Sequence, residues 1–294
     1  MFSKVWFITG ASTGFGRSVT ELALRKGDKV VATMRSPKVL SELSAKYPAS
    51  QLLVSRLDVT NSQKITSVFD EACAKFGRVD VVFNNAGHCT VSEAEGMSES
   101  SARRLFEVLF WGAANVTKEA VRVFRDANQP RGGHLVQMSS RTALEVVPGV
   151  AHYAAAKSAL ETLTEGYKAE LDPTWGIKMS IIEPALFRTG CVPRNIIEPV
   201  HPAYSDPSLP SRKYRSIYPG ADQFSDGDSN KLAQAIYRLT CMDDPPFRLP
   251  LHHVAVSAAR KKGLNFIQVA DKFASWSNDI YLDDADIAAA GVTR

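Results

Sequence analysis

Tyr153 and Lys157 stand four residues apart in an Ala-rich, helix-favouring segment, so their side chains share one face, a turn apart. A phenol alone is a poor acid or base near neutrality, because its ordinary pKa is about 10. An ammonium one turn away favours the phenolate and draws the tyrosine toward working pH. Ser140 lies thirteen residues before Tyr153, at the end of the apolar run Leu135-Val136-Gln137-Met138. Its hydroxyl could donate to an oxygen on which negative charge develops. These three residues suit proton transfer at an oxygen, provided that a strand end and a helix hold them together.

The elements that would position them begin near the start of the chain. Val5-Trp6-Phe7-Ile8 is a continuous apolar run, as expected of a strand buried on both faces. It leads into Thr9-Gly10-Ala11-Ser12-Thr13-Gly14-Phe15-Gly16, after which Ser18 to Lys26 reads as a helix stopped by Gly27. Strand, glycine-rich turn and helix form a dinucleotide site: the glycines permit a tight turn and close approach to a pyrophosphate, and the helix N-terminus favours the anion. Further strands are expected at Lys29–Thr33, Leu52–Leu57, Val79–Phe83 and Lys178–Ile182, alternating with helices. Thr60 with Gln63 reads as a capping box that opens the helix closed by Gly77. Ser98 should cap a long helix running to about Arg125. This alternation predicts an α/β fold, a doubly wound parallel sheet of about seven strands with ligands along its carboxyl edge.

The spacing of Gly10, Gly14 and Gly16, together with Tyr153-x-x-x-Lys157 and the upstream Ser140, resembles the short-chain dehydrogenase/reductase family. The resemblance runs from residue 5 to about 251. It implies a Rossmann-type fold, a nicotinamide dinucleotide and oxidoreduction at a C=O or CH–OH group, with Ser140, Tyr153 and Lys157 catalytic. Gly10, Ser12, Gly14, Phe15 and Gly16 would hold the pyrophosphate, and Asp58-Val59 the adenine. Asn84-Asn85-Ala86-Gly87 matches the family motif that braces the central strand and lies along the cofactor. Pro184, Leu186 and Thr189 fall where relatives hold the nicotinamide carboxamide, with Ala185 in the place of a glycine. NAD-preferring relatives carry an acidic residue where this chain has Met34, followed by Arg35. A guanidinium can bind a 2′-phosphate bidentately, so NADP(H) is the expected cofactor.

One departure is sharper. The family reads Phe-x-Val-Asn where this chain has Phe106-Glu107-Val108-Leu109. Leu109 takes the place of the Asn that, in relatives, holds a water linking the active-site Lys to solvent. Asn115, six residues on, faces elsewhere around a regular helix. The expected function is an NADPH-dependent carbonyl reductase or alcohol dehydrogenase. The alternatives are a family member recruited for isomerisation or cyclisation, and a cofactor-binding regulatory protein.

The whole chain, 1–294, is expected to be one domain, with residues 190–229 as a substrate-binding lid and 277–294 as a tail that can fray. The lid segment is rich in Pro, Tyr and Ser without a clear period. Tyr204, Tyr214, Tyr218 and Phe224 are candidates for lining an apolar or aromatic substrate's pocket, and His88 for touching it. The chain is 45% hydrophobic and 22% charged, which suits a globular protein, and its net charge of +4 is scattered, which argues against nucleic acid as a partner. No leader or membrane span is expected, and Cys73, Cys89, Cys191 and Cys241 read as free thiols in the cytoplasm. His252-His253 shows no partner cluster in the sequence, so no metal is expected. A homodimer or homotetramer through the long helices follows only by analogy with relatives.

Overall fold

A computed structural model describes residues 3–190, 195–278 and 280. Its centre is a seven-stranded parallel sheet in the order β11-β7-β6-β4-β1-β2-β3. The strands are β1 (Val5–Thr9), β2 (Lys29–Met34), β3 (Leu52–Arg56), β4 (Val81–Asn84), β6 (Gly133–Met138), β7 (Ile177–Pro184) and β11 (Arg248–Leu251). Two-stranded pairings join β5 (Thr90–Val91) to β9 (Ile196–Ile197) and β8 (Phe187–Arg188) to β10 (Gly227–Asp228). The helices are α1 (Gly14–Arg25), α2 (Ser41–Lys46), α3 (Ser62–Phe76), α4 (Glu99–Phe106), α5 (Ala113–Arg122), α6 (Ala151–Glu170), α7 (Pro210–Ile217), α8 (Ala221–Phe224), α9 (Ser229–Leu239) and α10 (His253–Phe273).

Period-two alternation in buried strands explains the layers. Trp6 and Ile8 of β1 point to one face and pack with Val19 of α1 and Ile236 of α9. Phe7 points to the other, where it stacks on Phe69 of α3 and joins Val116 of α5. The strand order turns back on itself between β1 and β4, and the crevice beyond such a reversal is where this class of sheet receives its ligand. The carboxyl ends of those two strands carry Gly10 and Asn84-Asn85-Ala86.

Local details differ from the sequence reading in instructive ways. α1 starts at Gly14 instead of Ser18, so the helix grows directly out of the glycine turn. Asn61, not Thr60, caps α3: its side chain accepts from the Lys64 N–H (2.9 Å). Thr60 is drawn aside because its hydroxyl and N–H both donate to Asp58 Oδ1. Gly77 closes α3 at φ +83°. Ser98 caps α4 as expected, but the long helix contains π turns at Glu107–Gly112 and Val123–Ala127. The segment 190–229 is more ordered than its irregular composition suggests. Pro210 at the first turn, where its missing N–H costs nothing, starts α7, and α8 follows. The expected fraying tail falls largely outside the described residues, as does Cys191.

Candidate active site

The glycine turn is as tight as a side chain's absence allows. A Cβ on Gly16 would sit 2.3 Å from the Gly10 carbonyl oxygen, and one on Gly10, at φ +67°, 3.0 Å from Ala86 Cα. Asn85 locks the turn from the side, donating through Nδ2 to Thr9 O (3.0 Å). The N–H groups of Asn85 and Ala86 both donate to Thr9 Oγ1, at 2.8 and 2.9 Å. Asn84 braces the sheet instead, donating to Ala113 O (2.8 Å) and Gln137 Oε1 (3.1 Å). Gly14 abuts Thr189, which arrives from the far side of the crevice. Ser12 and Phe15 line the same turn, and Phe15 meets Phe187 edge-on. Thr189 therefore stands across from Gly14. Ala185 needs no positive φ, so the missing glycine carries no strain there.

Two observations bear on whether a nicotinamide dinucleotide fits this crevice. The Gly10–Gly16 turn is a cradle that any side chain would fill. Thr189 Oγ1 is buried with no hydrogen-bond partner, and a buried hydroxyl without a partner is costly unless a ligand satisfies it. Both features match the group. At the adenine end, Val59 is buried against Gly112, and Asp58 and Arg35 are exposed at the ends of β3 and β2.

Ser140 follows the end of β6, buried, and its Oγ accepts from Thr142 N–H (3.2 Å) and Thr142 Oγ1 (3.0 Å). Those two bonds use the oxygen as acceptor and leave the serine's own hydroxyl proton available to donate. Tyr153 and Lys157 lie on the first two turns of α6. Lys157 is buried, and its Nζ donates to Met138 O (2.7 Å), so α6 is tied to the strand that presents Ser140. Burial lowers its pKa to about 8, an effect partly opposed by Glu161 one turn on. Glu161 is in turn held by the Ser139 hydroxyl and by Arg248 Nη1 (2.6 Å), which also reaches Glu183 Oε1 (2.6 Å). One arginine thus joins the strand ends of Ser139 and Glu183 to the helix of Lys157. Burial pushes the Glu183 carboxyl up, and Glu161 adds to this.

A pH dependence follows with a definite sign. Above about pH 8 Lys157 loses its proton, and a phenolate forming on Tyr153 loses its favourable neighbour. A lysine whose folded pKa is depressed makes the unfolded chain bind more protons between about pH 8 and its ordinary value, so its contribution to stability rises through that window. Carbonyl reduction is therefore expected to fall as pH rises through about 8 without a matching fall in melting temperature. Parallel pH profiles of kcat/KM and Tm check this.

Leu109, where the sequence reading expects a departure from the family pattern, falls in the π turn Glu107–Gly112. It is buried with Leu105 and Ala156 against Tyr153, and its Cδ2 would be 2.8 Å from a Cβ on Gly87, whose nearest neighbours also include Lys157 Nζ. The π turn spanning Glu107–Gly112 makes the regular-helix phase used for Asn115 inapplicable here, yet it is Leu109 that meets the site. His88 is half-buried, its pKa lowered by burial and then by the charges of Arg35 and Lys157.

The four lid aromatics separate into two pairs. Tyr214 and Tyr218 pack with Val91, Val147, Val150 and Tyr153 in one apolar cluster, and Asn195 Nδ2 donates to Tyr218 Oη (2.6 Å). Tyr204 instead meets His201, and Phe224 is 71% exposed. Sequence reasoning also missed a buried ion pair that holds α7 down: Arg215 grips both oxygens of Glu93, at 2.9 and 3.1 Å. No local pattern signals it, because the partners lie on segments far apart in the chain.

His252-His253 does acquire a partner, contrary to the sequence expectation: Asp226 brings a carboxylate so that the three ligand atoms lie within 4.8 Å of one another. Pairing of β10 with β8 folds Asp226 back from the end of the 190–229 segment, which spacing alone does not reveal. His252 Nε2 is 2.6 Å from Asp226 Oδ1, while its Nδ1 accepts the Val254 N–H (3.3 Å) at the start of α10. A metal on Nε2 would need the ring proton on Nδ1, where that cap already sits. The His252–Asp226 hydrogen bond fastens the segment to α10, with the His253 ring packed against that of His252.

The model of the short chain dehydrogenase family matches residues 4–196. An uncharacterized oxidoreductase of Schizosaccharomyces pombe is 32% identical over all of this chain and 97% of its own length. A solved short-chain dehydrogenase from Streptomyces avermitilis is 33% identical, covers 94% of this chain and 97% of its own, and superposes with a TM-score of 0.82. A Burkholderia phymatum short chain dehydrogenase/reductase in complex with NAD shares the fold at 24% identity and a TM-score of 0.75, covering 91% of this chain and 96% of its own. The sheet is that of the solved short-chain dehydrogenases. This chain belongs to the short-chain dehydrogenase/reductase family and is an oxidoreductase of that family.

Proposed function

We propose that the protein is an NADP(H)-dependent carbonyl reductase or alcohol dehydrogenase whose substrate is apolar or aromatic. One observation carries the reading. Lys157, buried and anchored to the strand that presents Ser140, sits one helical turn from Tyr153, with its Nζ beside Gly87 of the segment that locks the glycine turn. The nicotinamide, when bound, supplies or accepts the hydride. Ser140 donates its hydroxyl proton to the carbonyl oxygen and polarises it. Tyr153 gives the hydroxyl proton in reduction and takes it in oxidation. Lys157 favours the phenolate by charge, and Glu161 keeps that charge in place. Arg35 supports NADP(H) over NAD(H), while Met34 beside it is buried and offers no carboxylate to repel a 2′-phosphate. The NAD complex of the Burkholderia phymatum relative makes cofactor choice a point for measurement. Val91, Val147, Val150, Tyr214 and Tyr218 give the substrate side its apolar character, under the 190–229 segment acting as a lid. The single-domain organisation and a cytoplasmic setting accompany this reading. Among the described residues no helix is long and apolar enough to cross a membrane.

Turnover of NADPH with a panel of ketones and aldehydes, and of NADP⁺ with the matching alcohols, tests the proposal. Activity in either direction supports it, and its absence across a broad panel counts against it.

Leu109 favours a second reading. A buried leucine against Gly87 and Tyr153 cannot anchor a water beside Lys157. Either another path returns the proton to Tyr153, or no net reduction occurs and the site isomerises or cyclises. The first is preferred, because Ser140, Tyr153 and Lys157 have little use together in a site that never handles a carbonyl. Leu109→Asn is expected to leave carbonyl reduction equal or faster. If the unaltered protein reduces nothing and Leu109→Asn gains that activity, the non-redox reading replaces the first. Conversion of substrate without net NADPH consumption would identify it.

A further inference from the structure

α7 sets Ser211, Tyr214, Arg215 and, just past its end, Tyr218 on one side of the helix, at spacings of three, four and seven residues. Ser211, Arg215 and Tyr218 are buried, while Lys213, Ser216 and Ile217 are exposed. The inward rings of Tyr214 and Tyr218 lie 5.5 Å apart and join Val91, Val150 and Tyr153 in the apolar cluster of the substrate side. Apolar burial is non-directional, so it does not by itself fix where a helix of eight residues sits. Two polar ties, one on either side of β5, supply the direction. Ahead of β5, the Asn195 side chain accepts the Cys89 N–H (2.8 Å) and donates to Tyr218 Oη (2.6 Å). Behind it, Arg215 Nε and Nη2 donate to the two oxygens of Glu93 (3.1 and 2.9 Å). The same guanidinium reaches the chain just after β9, through Nη1 to Glu198 O (2.5 Å) and Nη2 to Pro199 O (3.3 Å). Four bonds from one planar fork fix both the distance and the roll of α7. The Glu93 side chain is 1% exposed and that of Arg215 8%. A buried pair contributes little net stability, because desolvation offsets the attraction, but its bonds are strongly directional.

We propose that Glu93 and Arg215 are positioning residues for the substrate: by fixing α7 they set how far the Tyr214–Tyr218 wall stands from Tyr153, and so how bulky an apolar substituent the site accepts. Tyr153 itself does not depend on that wall, since it also packs with Leu105, Leu109 and Ala156. Ser140 and Lys157 are oriented by Thr142 and Met138, away from α7. Given carbonyl reduction at Tyr153, on which this assignment rests, the pair acts on the substrate's far end and not on proton transfer. Its loss therefore belongs in KM, where binding shared by ground state and transition state is read. A ketone too short to reach the wall is indifferent to where the wall stands.

Steady-state kinetics with the bulkiest aryl ketone and the shortest aliphatic ketone that the unaltered protein reduces test the pair. Arg215→Met is expected to raise KM for the aryl ketone about ten-fold or more, the scale of one altered contact in an apolar pocket. Both kcat and KM for the short ketone, and the NADPH dissociation constant, should stay nearly unchanged. Glu93→Gln keeps the side chain's shape and an acceptor for the guanidinium. It should move the aryl-ketone KM the same way by less, and it carries the test if Arg215→Met does not fold. Arg215→Met leaves a buried carboxylate unpaired and should lower Tm, whereas Glu93→Leu/Arg215→Met removes that carboxylate and should recover Tm with the aryl-ketone KM still raised. An aryl-ketone KM unchanged in the single variants, or restored together with Tm in the double variant, overturns the assignment and leaves the catalytic reading standing. Failure of the unaltered protein to reduce any carbonyl overturns the catalytic reading and the assignment with it.

Discussion

Replacing Tyr153 with phenylalanine is expected to lower carbonyl turnover by roughly 10²–10⁴-fold, the range typical of losing a general acid–base group. The ring stays in place among Leu105, Leu109 and Ala156, so packing is preserved and the loss belongs to the hydroxyl. Cofactor affinity should change little, because the cradle of Gly10, Gly14 and Gly16 and the Thr189 hydroxyl are untouched. Steady-state kinetics alongside cofactor titration separates the two quantities. A variant that keeps most of its activity would place the proton transfer elsewhere, with His88 the next group to replace.

The second large effect concerns cofactor choice. NADPH should bind more tightly than NADH, and Arg35→Ala should erase most of the difference, since hydrogen bonds to charged groups contribute about 1.5–3 kcal/mol. At 1.4 kcal/mol per factor of ten, that corresponds to roughly 10–150-fold in dissociation constant. Arg35 is exposed at the end of β2, so its removal should not disturb the fold. Tighter binding of NADH by the unaltered protein would contradict the assignment.

The parts of the site that were legible in the sequence are those encoded locally. A Gly-x-x-x-Gly-x-Gly turn between a strand and a helix has few other uses, and Tyr-x-x-x-Lys sets two side chains on one helical face by spacing alone. Asn84 and Asn85 were found as a motif, but their division of labour, one bracing the sheet and the other the glycine turn, appears only in three dimensions. What spacing could not reveal is contact between distant segments. The Arg215–Glu93 clamp, the Arg248 bridge behind Lys157 and the meeting of Asp226 with His252 each join residues that no periodicity relates. The α3 cap went to Asn61 because Thr60 had a better local partner in Asp58, a competition between neighbouring side chains that a motif does not weigh. The π turn at Leu109 escaped for a different reason. A helix with a uniform 3.6-residue period was assumed, and a single wide turn shifts the phase of everything after it.

Hydride is expected to pass between a nicotinamide and a carbonyl carbon beside Ser140, Tyr153 and Lys157. NADPH deuterated at the transferring position of the nicotinamide, incubated with the carbonyl panel and analysed by mass spectrometry, tests it directly. The expected alcohol product carries one deuterium on the carbinol carbon, forms in proportion to NADP⁺ and is strongly diminished in Tyr153→Phe. A converted substrate without deuterium, with the NADPH left intact, would contradict it.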